Sequence, residues 1–201
     1  MFYEPKNGHG LPHNPAKAIV SPRPIGWIST LSKGGVANLA PYSFFNMISD
    51  SPFLVMFSSD GVKDSARNAV DTGEFVANLA SRVLAEAVNA SSIDAPSEIS
   101  EFGHAGIEMA ASRIVNAPRV AAAHAALECK VTQAFHPLDA AGNEVDNFMI
   151  IGEVVGVHID EAVLTNGLFD ASRAGNLARL GYFDYLAVDE LFQMRRPKWN
   201  G

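Results

Sequence analysis

The chain has 201 residues, of which 48% are hydrophobic and 18% charged, so it can bury a sizeable core and is not globally disordered. Its net charge of −7 and pI near 5.3 argue against a general binder of nucleic acid or anionic membranes. The single cysteine, Cys129, cannot form an internal disulfide, which fits a reducing compartment.

The N-terminal segment resembles neither a signal peptide nor a membrane anchor. Residues 1–15 lack the basic region and apolar core of a secretory signal, and no run approaches the roughly 20 apolar residues of a membrane span. We therefore expect a cytoplasmic protein without a membrane span. The prolines and glycines of residues 1–15 predict an extended arm, and residues 16–201 are expected to form one domain.

The first half of the chain reads mainly as short strands joined by turns. Lys33, Gly34 and Gly35 form a hairpin signal, because glycine adopts positive φ without steric cost. Pro41 is expected to end the returning strand, which leaves residues 42–50 as a loop or short helix. The predicted strands are residues 17–21, 26–32, 36–40, 53–58 and 74–79, and a helix is predicted at 63–70, before Gly73.

The second half adds two long strands and a few short helices. Gly152 and Gly156 interrupt an otherwise β-rich run, which predicts a bulge or a close backbone approach. Short strands, glycine turns and few long helices favour a β-barrel over a doubly wound sheet. We predict helices at 81–90 and 170–179, strands at 125–135 and 148–159, a turn at 139–143, and a loop or short helical excursion at 91–107.

The sequence contains no familiar catalytic or nucleotide-binding motif. GxGxxG, GxxxxGK[ST] and GxSxG are absent, and neither the six histidines nor the lone cysteine have metal-ligand spacing. Neither a catalytic side-chain constellation nor a metal site is therefore predicted. Glu128 and Glu153 lie in predicted strands, where solvent-facing alternation is favoured over acid–base work. His124 and His136 either lie near each other across strands or are exposed or capping residues.

A short basic segment offers one candidate anion site. Lys63 supplies a positive charge, Ser65 a hydroxyl, and the predicted helix start supplies free N–H groups, so the three features together can seat a phosphate. The alternative is an ordinary surface helix capped by Asp64 or Ser65.

Two further segments carry polar residues among apolar ones. Ser29 and Thr30 lie on opposite faces of a strand, so at most one of them can face a ligand, and β-propensity alone also explains them. In residues 40–46 core packing explains the aromatic residues but not Ser43 and Asn46, whose polar groups need partners.

Together these segments resemble the flavin reductase-like family of the FMN-binding split barrels. The resemblance lies in RPIGWISTLSKGGVANLAPYSFFNMISDSPFLVMFS, KDSARN, GEFVANL, IIGEVVGVHIDE and RLGYFDYLAVDELFQMRRP, and it spans residues 18–197. It implies a mainly β fold, a six-stranded Greek-key split β-barrel with a few peripheral helices. It also implies a homodimer that holds FMN, with FAD as an alternative, near the subunit interface.

The resemblance assigns the flavin contacts residue by residue. Lys63, Asp64 and Ser65 match a Lys-Asp-Thr phosphate motif in which serine replaces threonine. Ser29 and Thr30 match the strand along the ribityl chain. The other matched positions are Ala40, Pro41, Tyr42 and Ser43 beside the isoalloxazine, Asn46 and Ser58 nearby, and Arg23 and Asn68 as weaker candidates.

The implied reaction needs no catalytic side chain. In such proteins NADH or NADPH passes hydride to flavin N5 while the protein orients the ring, and some members supply reduced flavin to a partner monooxygenase. Many members carry Gly-Asp-His where this chain reads Val145, Asp146 and Asn147, and asparagine cannot carry the charge of that histidine. The chain more closely resembles longer-tailed members, such as reductase components of chelator monooxygenases.

Three functions therefore stand as hypotheses. The first is an FMN-dependent NAD(P)H:flavin reductase. The second, favoured by Asn147, is a carrier or sensor that holds flavin without turnover. The third is a ligand-free barrel that acts as an interaction module.

Overall fold

The computed structural model describes residues 1–199, and most of its regular structure is β-strand. Within those residues no helix is long and apolar enough to span a membrane. The helices are α1 (Ala16–Ile19), α2 (Asp64–Thr72), α3 (Ala85–Ala90), α4 (Glu101–His104) and α5 (Ala171–Ala174). The strands are β1 (Arg23–Pro24), β2 (Gly26–Leu31), β3 (Ala37–Tyr42), β4 (Phe45–Asp50), β5 (Phe53–Asp60), β6 (Glu74–Leu79), β7 (Met109–Ala110), β8 (Arg119–Val120), β9 (Ala125–Phe135), β10 (Asn147–Ile159), β11 (Leu164–Thr165), β12 (Leu168–Phe169), β13 (Leu177–Arg179) and β14 (Tyr185–Ala187).

Seven antiparallel strands form the main sheet in the order β3-β2-β6-β9-β10-β5-β4. Its two edge strands, β3 and β4, are consecutive in the chain and are joined only by Ser43 and Phe44. Three Cα–Cα steps of about 3.8 Å cannot cross a flat sheet of this width. The sheet therefore curls until its edges meet. We call the gap where residues 41–44 face residues 58–60 the seam.

The predicted mainly β split barrel is confirmed, with one strand more than expected. Residues 45–50, predicted as a loop or short helix, form the edge strand β4. Pro41 does not end β3, which continues to Tyr42. An edge strand tolerates proline, because no ladder partner on the open side needs its missing N–H.

Two hydrophobic layers share the strand β2. The neighbouring residues Trp27 and Ile28 are both fully buried although they point to opposite faces. Ile28 packs with Phe57 and Phe75 in the cluster that fills the barrel, while Trp27 packs with Phe102 in a second cluster. The strand is therefore covered on both sides.

Most of the other predicted elements are confirmed. The structure contains helix α2, ended by Gly73 in a left-handed conformation, and the long strands β9 and β10. Register shifts occur before both Gly152 and Gly156, as the glycines predicted. A Cβ on Gly152 would lie 2.5 Å from the Phe75 ring, so this glycine permits a close approach.

Two predictions at the ends of the chain are wrong. Residues 17–21 were expected to be a strand, but they belong mainly to helix α1. Arg23 donates to the carbonyl oxygens of Lys17 in that helix and of Val20 just after it. Residues 170–179 divide into helix α5 and strand β13, with Gly175 between them at φ 60°.

The expectation that Glu128 faces solvent is also wrong, whereas Glu153 is exposed as predicted. Glu128 is fully buried, and its carboxylate accepts the backbone N–H groups of residues 113–115 at 2.6–2.9 Å and contacts His158 Nε2 at 2.5 Å. Burial opposes the charge, but these donors outweigh it and lower the pKa of Glu128 to about 2. The carboxylate thus anchors the loop before β8.

His124 and His136 are not neighbours, because they lie at opposite ends of β9, and of the two alternatives the exposed or capping roles are left. His124 Nδ1 lies 3.0 Å from Asp160 Oδ2. His136 Nδ1 lies 3.1 Å from the carbonyl oxygen of Val145, and since a carbonyl only accepts, this nitrogen carries the proton.

Candidate functional site

A cavity of about 410 Å³ lies at the seam of the barrel. Ligand pockets commonly measure about 300–1,000 Å³, so the seam cavity has room for a small planar ligand. Its walls come from the end of β3, the connection to β4, the end of β5 and the start of α2. The lining residues are Lys17, Pro41, Tyr42, Ser43, Phe44, Ser58, Ser59, Asp60, Lys63 and Asn147.

One end of the seam cavity is cationic, because two lysines line the cavity against the single carboxylate of Asp60. Lys63 is the N-cap residue of α2 and precedes the free N–H groups of the first helical turn, while Lys17 approaches from α1. Neither Asp64 nor Ser65 caps the helix with its side chain, so the surface-cap alternative does not describe this turn. Lys63 Nζ lies 3.5 Å from Asp94, but both side chains are more than half exposed, and such pairs are weak.

Buried hydroxyl groups line the wall next to this cationic end. Ser58 and Ser59 are both buried at the end of β5. Within residues 1–199 the Ser59 hydroxyl lies near Tyr42 but makes no hydrogen bond of good geometry. Asn147 Nδ2 reaches toward Ser58 Oγ and the Ser59 carbonyl at 3.4 and 3.3 Å. A buried polar group without a partner in a cavity wall is a candidate ligand contact.

An apolar and aromatic wall adjoins these groups, with Lys17 Nζ 5.9 Å from the centroid of the Phe44 ring. The Tyr42 ring packs against Phe57 with centroids 5.0 Å apart, which fixes its position against the barrel core. Burial raises the pKa of Tyr42, so its hydroxyl stays protonated near neutral pH. Pro41 and Phe44 continue this wall along the seam. The cavity therefore combines a cationic end with a flat apolar surface.

Three predicted site residues use their side chains within the protein. Ser65 Oγ donates to Asn38 Oδ1 at 2.6 Å, and Asn68 Nδ2 donates to Thr30 Oγ1 at 3.2 Å. Asn38 in turn donates to the buried carboxylate of Glu101 at 3.0 Å. This network ties α2 to β2 and β3. It sets the direction in which the start of α2 faces the seam.

The remaining predicted residues are spread around the seam. Ser29 is fully buried and donates to the Pro118 carbonyl, so it does not line the cavity. Ala40 precedes the lining residues on β3, and Asn46 is exposed and accepts the Met47 N–H. Asp64 pairs with Arg67, and Arg23 lines a neighbouring cavity. Pro41, Tyr42, Ser43, Ser58 and Lys63 are brought together.

Five lining residues were absent from the predicted set. Lys17 was hidden by the wrong strand prediction, and Asn147 had been noted only as a departure from the Gly-Asp-His pattern. Ser59 and Asp60 simply continue β5 beyond its predicted end, so a longer strand would have identified them. Phe44 was attributed to core packing, which is wrong, because its side chain is exposed at the seam.

A family model and a sequence relative match most of the chain. Residues 20–178 match the family described as "Flavin reductase like domain". An uncharacterized protein of Halalkalibacterium halodurans is 37% identical over 89% of this chain and 87% of its own.

Two solved structures resemble the fold closely. One is component B of nitrilotriacetate monooxygenase from Bacillus cereus, with a TM-score of 0.87, 27% identity, and coverage of 96% of this chain and 98% of that one. The other is the 2-nitrobenzoate 2-nitroreductase of Pseudomonas fluorescens, with a TM-score of 0.80, 26% identity, and coverage of 90% and 88%.

Proposed function

The chain belongs to the flavin reductase-like family, a family of flavin-binding oxidoreductases, and on that premise we propose that it binds FMN in the seam cavity and uses it to oxidise NADH or NADPH. The observation that carries the proposal is the pairing, in one cavity, of a cationic helix start with a flat aromatic wall. FMN has the complementary shape, with a phosphate at one end and a planar ring at the other.

The cationic end fits the phosphate. Lys63 and Lys17 supply charge, the first turn of α2 supplies N–H donors, and the unbonded hydroxyl of Ser59 supplies a further donor. Together these groups can meet the oxygens of a phosphate monoester. The sequence-predicted phosphate role of Lys63 is thus retained. The hydroxyl role assigned to Ser65 passes to Ser58 and Ser59, because Ser65 is committed to Asn38.

The aromatic wall fits the ring. Pro41, Tyr42 and Phe44 offer flat apolar contacts at the end of β3 and in its connection to β4. A bound flavin supplies hydride acceptance from a reduced nicotinamide. The protein's own contribution is to orient the ring and to exclude water from one of its faces. Such a role requires no acid, base or nucleophile among the lining side chains.

A second candidate function follows from Asn147. This residue lines the cavity where many family members have a histidine, and its amide is turned toward Ser58 and Ser59. If the missing histidine is needed to seat the nicotinamide, the protein is a flavin carrier or sensor without turnover. Rapid bleaching of the bound flavin by NADH or NADPH under anaerobic conditions would exclude that role.

Assembly with other chains is part of the same proposal. The exposed apolar residues Met47 and Ile48 lie on the edge strand β4, beside the seam. A homodimer that covers this edge would bury both residues and protect the edge from other pairing. The similarity to a monooxygenase component supports a partner monooxygenase that receives reduced flavin.

A titration with FMN, FAD and riboflavin tests the site. The spectrum of each flavin should shift on binding. Lys63→Ala should weaken the binding of FMN by about 5–30-fold, because a half-exposed hydrogen bond from a charged group contributes about 1–2 kcal/mol. Riboflavin lacks the phosphate, so its affinity should change by less than about twofold in this variant. Lys33→Ala is the matched control, because Lys33 is also exposed and paired with an aspartate, 3.2 Å away. Equal losses for FMN and riboflavin would refute the phosphate assignment.

A further inference from the structure

A separate cavity, of about 280 Å³, lies where strand β9 begins and strand β10 ends. His124, His158, Asp160 and Arg119 are among its lining residues. We call it the histidine cavity. Asn147 opens β10 and lines the seam cavity, whereas His158 is next to the last residue of that strand, so the histidine cavity lies at the other end of β10.

The pairing of β9 with β10 places the two histidines on one face of the sheet. His158 is opposite Ala126, and the pairing continues to Asp160, whose N–H donates to the carbonyl oxygen of His124 at 2.8 Å. His124 and His158 are therefore diagonal neighbours, whose backbones lie about 7–8 Å apart in an antiparallel pair. Two imidazole rings that bind one ion through bonds of about 2.0–2.1 Å can bridge that distance.

Each histidine is held at one ring nitrogen by a carboxylate. His158 Nε2 lies 2.5 Å from Glu128 Oε1, and His124 Nδ1 lies 3.0 Å from Asp160 Oδ2. Burial opposes the charge of Glu128, but backbone N–H groups lower its pKa to about 2, and the Ala162 N–H lowers the pKa of Asp160. Both carboxylates are thus ionised at neutral pH and only accept, so each of the two ring nitrogens carries the proton.

The second nitrogen of each ring has a free lone pair. In a neutral imidazole with one protonated nitrogen the other is an acceptor, here Nδ1 of His158 and Nε2 of His124. Neither of them makes a hydrogen bond within residues 1–199, and both residues line the cavity. Histidine ligands of metal ions ordinarily have this arrangement, in which a carboxylate holds the outer nitrogen and fixes the tautomer. The two rings are therefore prepared to bind a metal ion.

The charges around the histidine cavity also suit a cation. Asp160 and Glu128 contribute two negative charges against one positive charge on Arg119, whose Nε donates to the Ala111 carbonyl. Across the described residues no three histidine, cysteine or acidic side chains form a closed metal site. Two imidazoles with water in the remaining coordination positions form an open site instead.

We propose that the histidine cavity binds Zn²⁺, or a divalent ion of the same class such as Ni²⁺, through His158 Nδ1 and His124 Nε2. Imidazole suits these ions, whereas Mg²⁺ prefers oxygen ligands. The ion would join the start of β9 to the end of β10 and, through Glu128, would support loop 113–115. Spacing along the chain predicted no metal site, because only strand pairing brings these two histidines together. The proposal does not depend on flavin binding at the seam.

Calorimetric titration of the metal-free full chain with ZnCl₂, NiCl₂ and MgCl₂ tests the proposal. We expect one Zn²⁺ per chain, with Ni²⁺ binding at the same site and Mg²⁺ at least about a hundredfold more weakly. Between about pH 7.5 and pH 5.5 the affinity for Zn²⁺ should fall by at least about tenfold, because a proton competes for each ligand nitrogen.

Two variants locate the ion. His124→Ala removes one ligand at a partly exposed position, and His158→Gln removes the other while its amide can still donate to Glu128. Each should weaken Zn²⁺ binding by at least about tenfold, whereas His104→Ala, which removes an exposed histidine of α4, should leave it unchanged. Added Zn²⁺ should raise the Tm of wild type and of His104→Ala but not that of the two ligand variants.

Four results would overturn the proposal. They are no saturable binding of Zn²⁺ or Ni²⁺ below about 1 mM, equally tight binding of Mg²⁺, unchanged Zn²⁺ affinity in both ligand variants, and a loss of the same size in His104→Ala. Circular dichroism of the metal-free variants shows whether each is folded. Should His158→Gln fail to fold, His124→Ala decides the outcome, because His124 contacts only the exposed Asp160.

Discussion

Replacing Glu128 by glutamine should destabilise the protein at neutral pH but not at low pH. The carboxylate accepts three backbone N–H groups and contacts His158 Nε2, all in a fully buried position. An amide of the same shape offers only one acceptor oxygen and turns its NH₂ group toward donors. At least one buried N–H is therefore left without an acceptor, and the loop of residues 113–115 loses its anchor.

The pKa of Glu128 gives the magnitude of this effect. It falls from 4.5 in an unfolded chain to about 2 in the folded protein, and each unit corresponds to about 1.4 kcal/mol. The charged carboxylate therefore contributes on the order of 3 kcal/mol of stability. Because the folded pKa is the lower one, this contribution is complete above about pH 5 and is lost as the pH falls toward 2.

Urea unfolding followed by circular dichroism between pH 7 and pH 3 measures the effect. Wild type should lose stability over the lower part of this range, and Glu128→Gln should lack that component while being about 3 kcal/mol less stable at pH 7. Glu153→Gln is the control, because Glu153 is exposed on β10 and should behave as wild type. Parallel pH profiles for wild type and Glu128→Gln would refute the reasoning.

Three further predictions concern the seam and the core. Asn147→His should lower the KM for NADH of the FMN-loaded protein by about tenfold, which corresponds to one added hydrogen bond. An unchanged KM would contradict a role of this position in seating the nicotinamide. Ser59→Ala should weaken the binding of FMN by about threefold or more in the flavin titration and leave that of riboflavin unchanged, since the Ser59 hydroxyl has no hydrogen-bond partner within residues 1–199 and can bind the phosphate. Equal losses of affinity for the two flavins would contradict that contact. Gly152→Ala should cost about 1–3 kcal/mol in urea unfolding, because the new Cβ meets the Phe75 ring, whereas Gly34→Ala, 3.7 Å from the nearest side chain, should be neutral; equal midpoints would contradict the close packing.

Local signals in the sequence were sufficient for the elements they describe. The apolar alternation of residues 125–135, the glycines at 152 and 156, and Gly73 after a helical pattern all specify backbone conformations that depend on neighbouring residues. The family resemblance then predicted the fold. Of the flavin-contact residues that it implied, five line one cavity: Pro41, Tyr42, Ser43, Ser58 and Lys63. Each of these lies near the end of an element or in a connection between elements.

The tertiary structure decided which polar residues are free to meet a ligand. Ser65 and Ser59 have the same hydroxyl, yet Ser65 is bonded to Asn38 while Ser59 is left unpaired in the cavity wall. Glu128, which alternation placed in solvent, is buried because loop 113–115 folds over it. Arg23 and Arg179, far apart in the chain, lie opposite each other because β1 pairs with β13. A sequence determines each residue's chemistry and local conformation, but the availability of a polar group depends on partners that are distant in the chain.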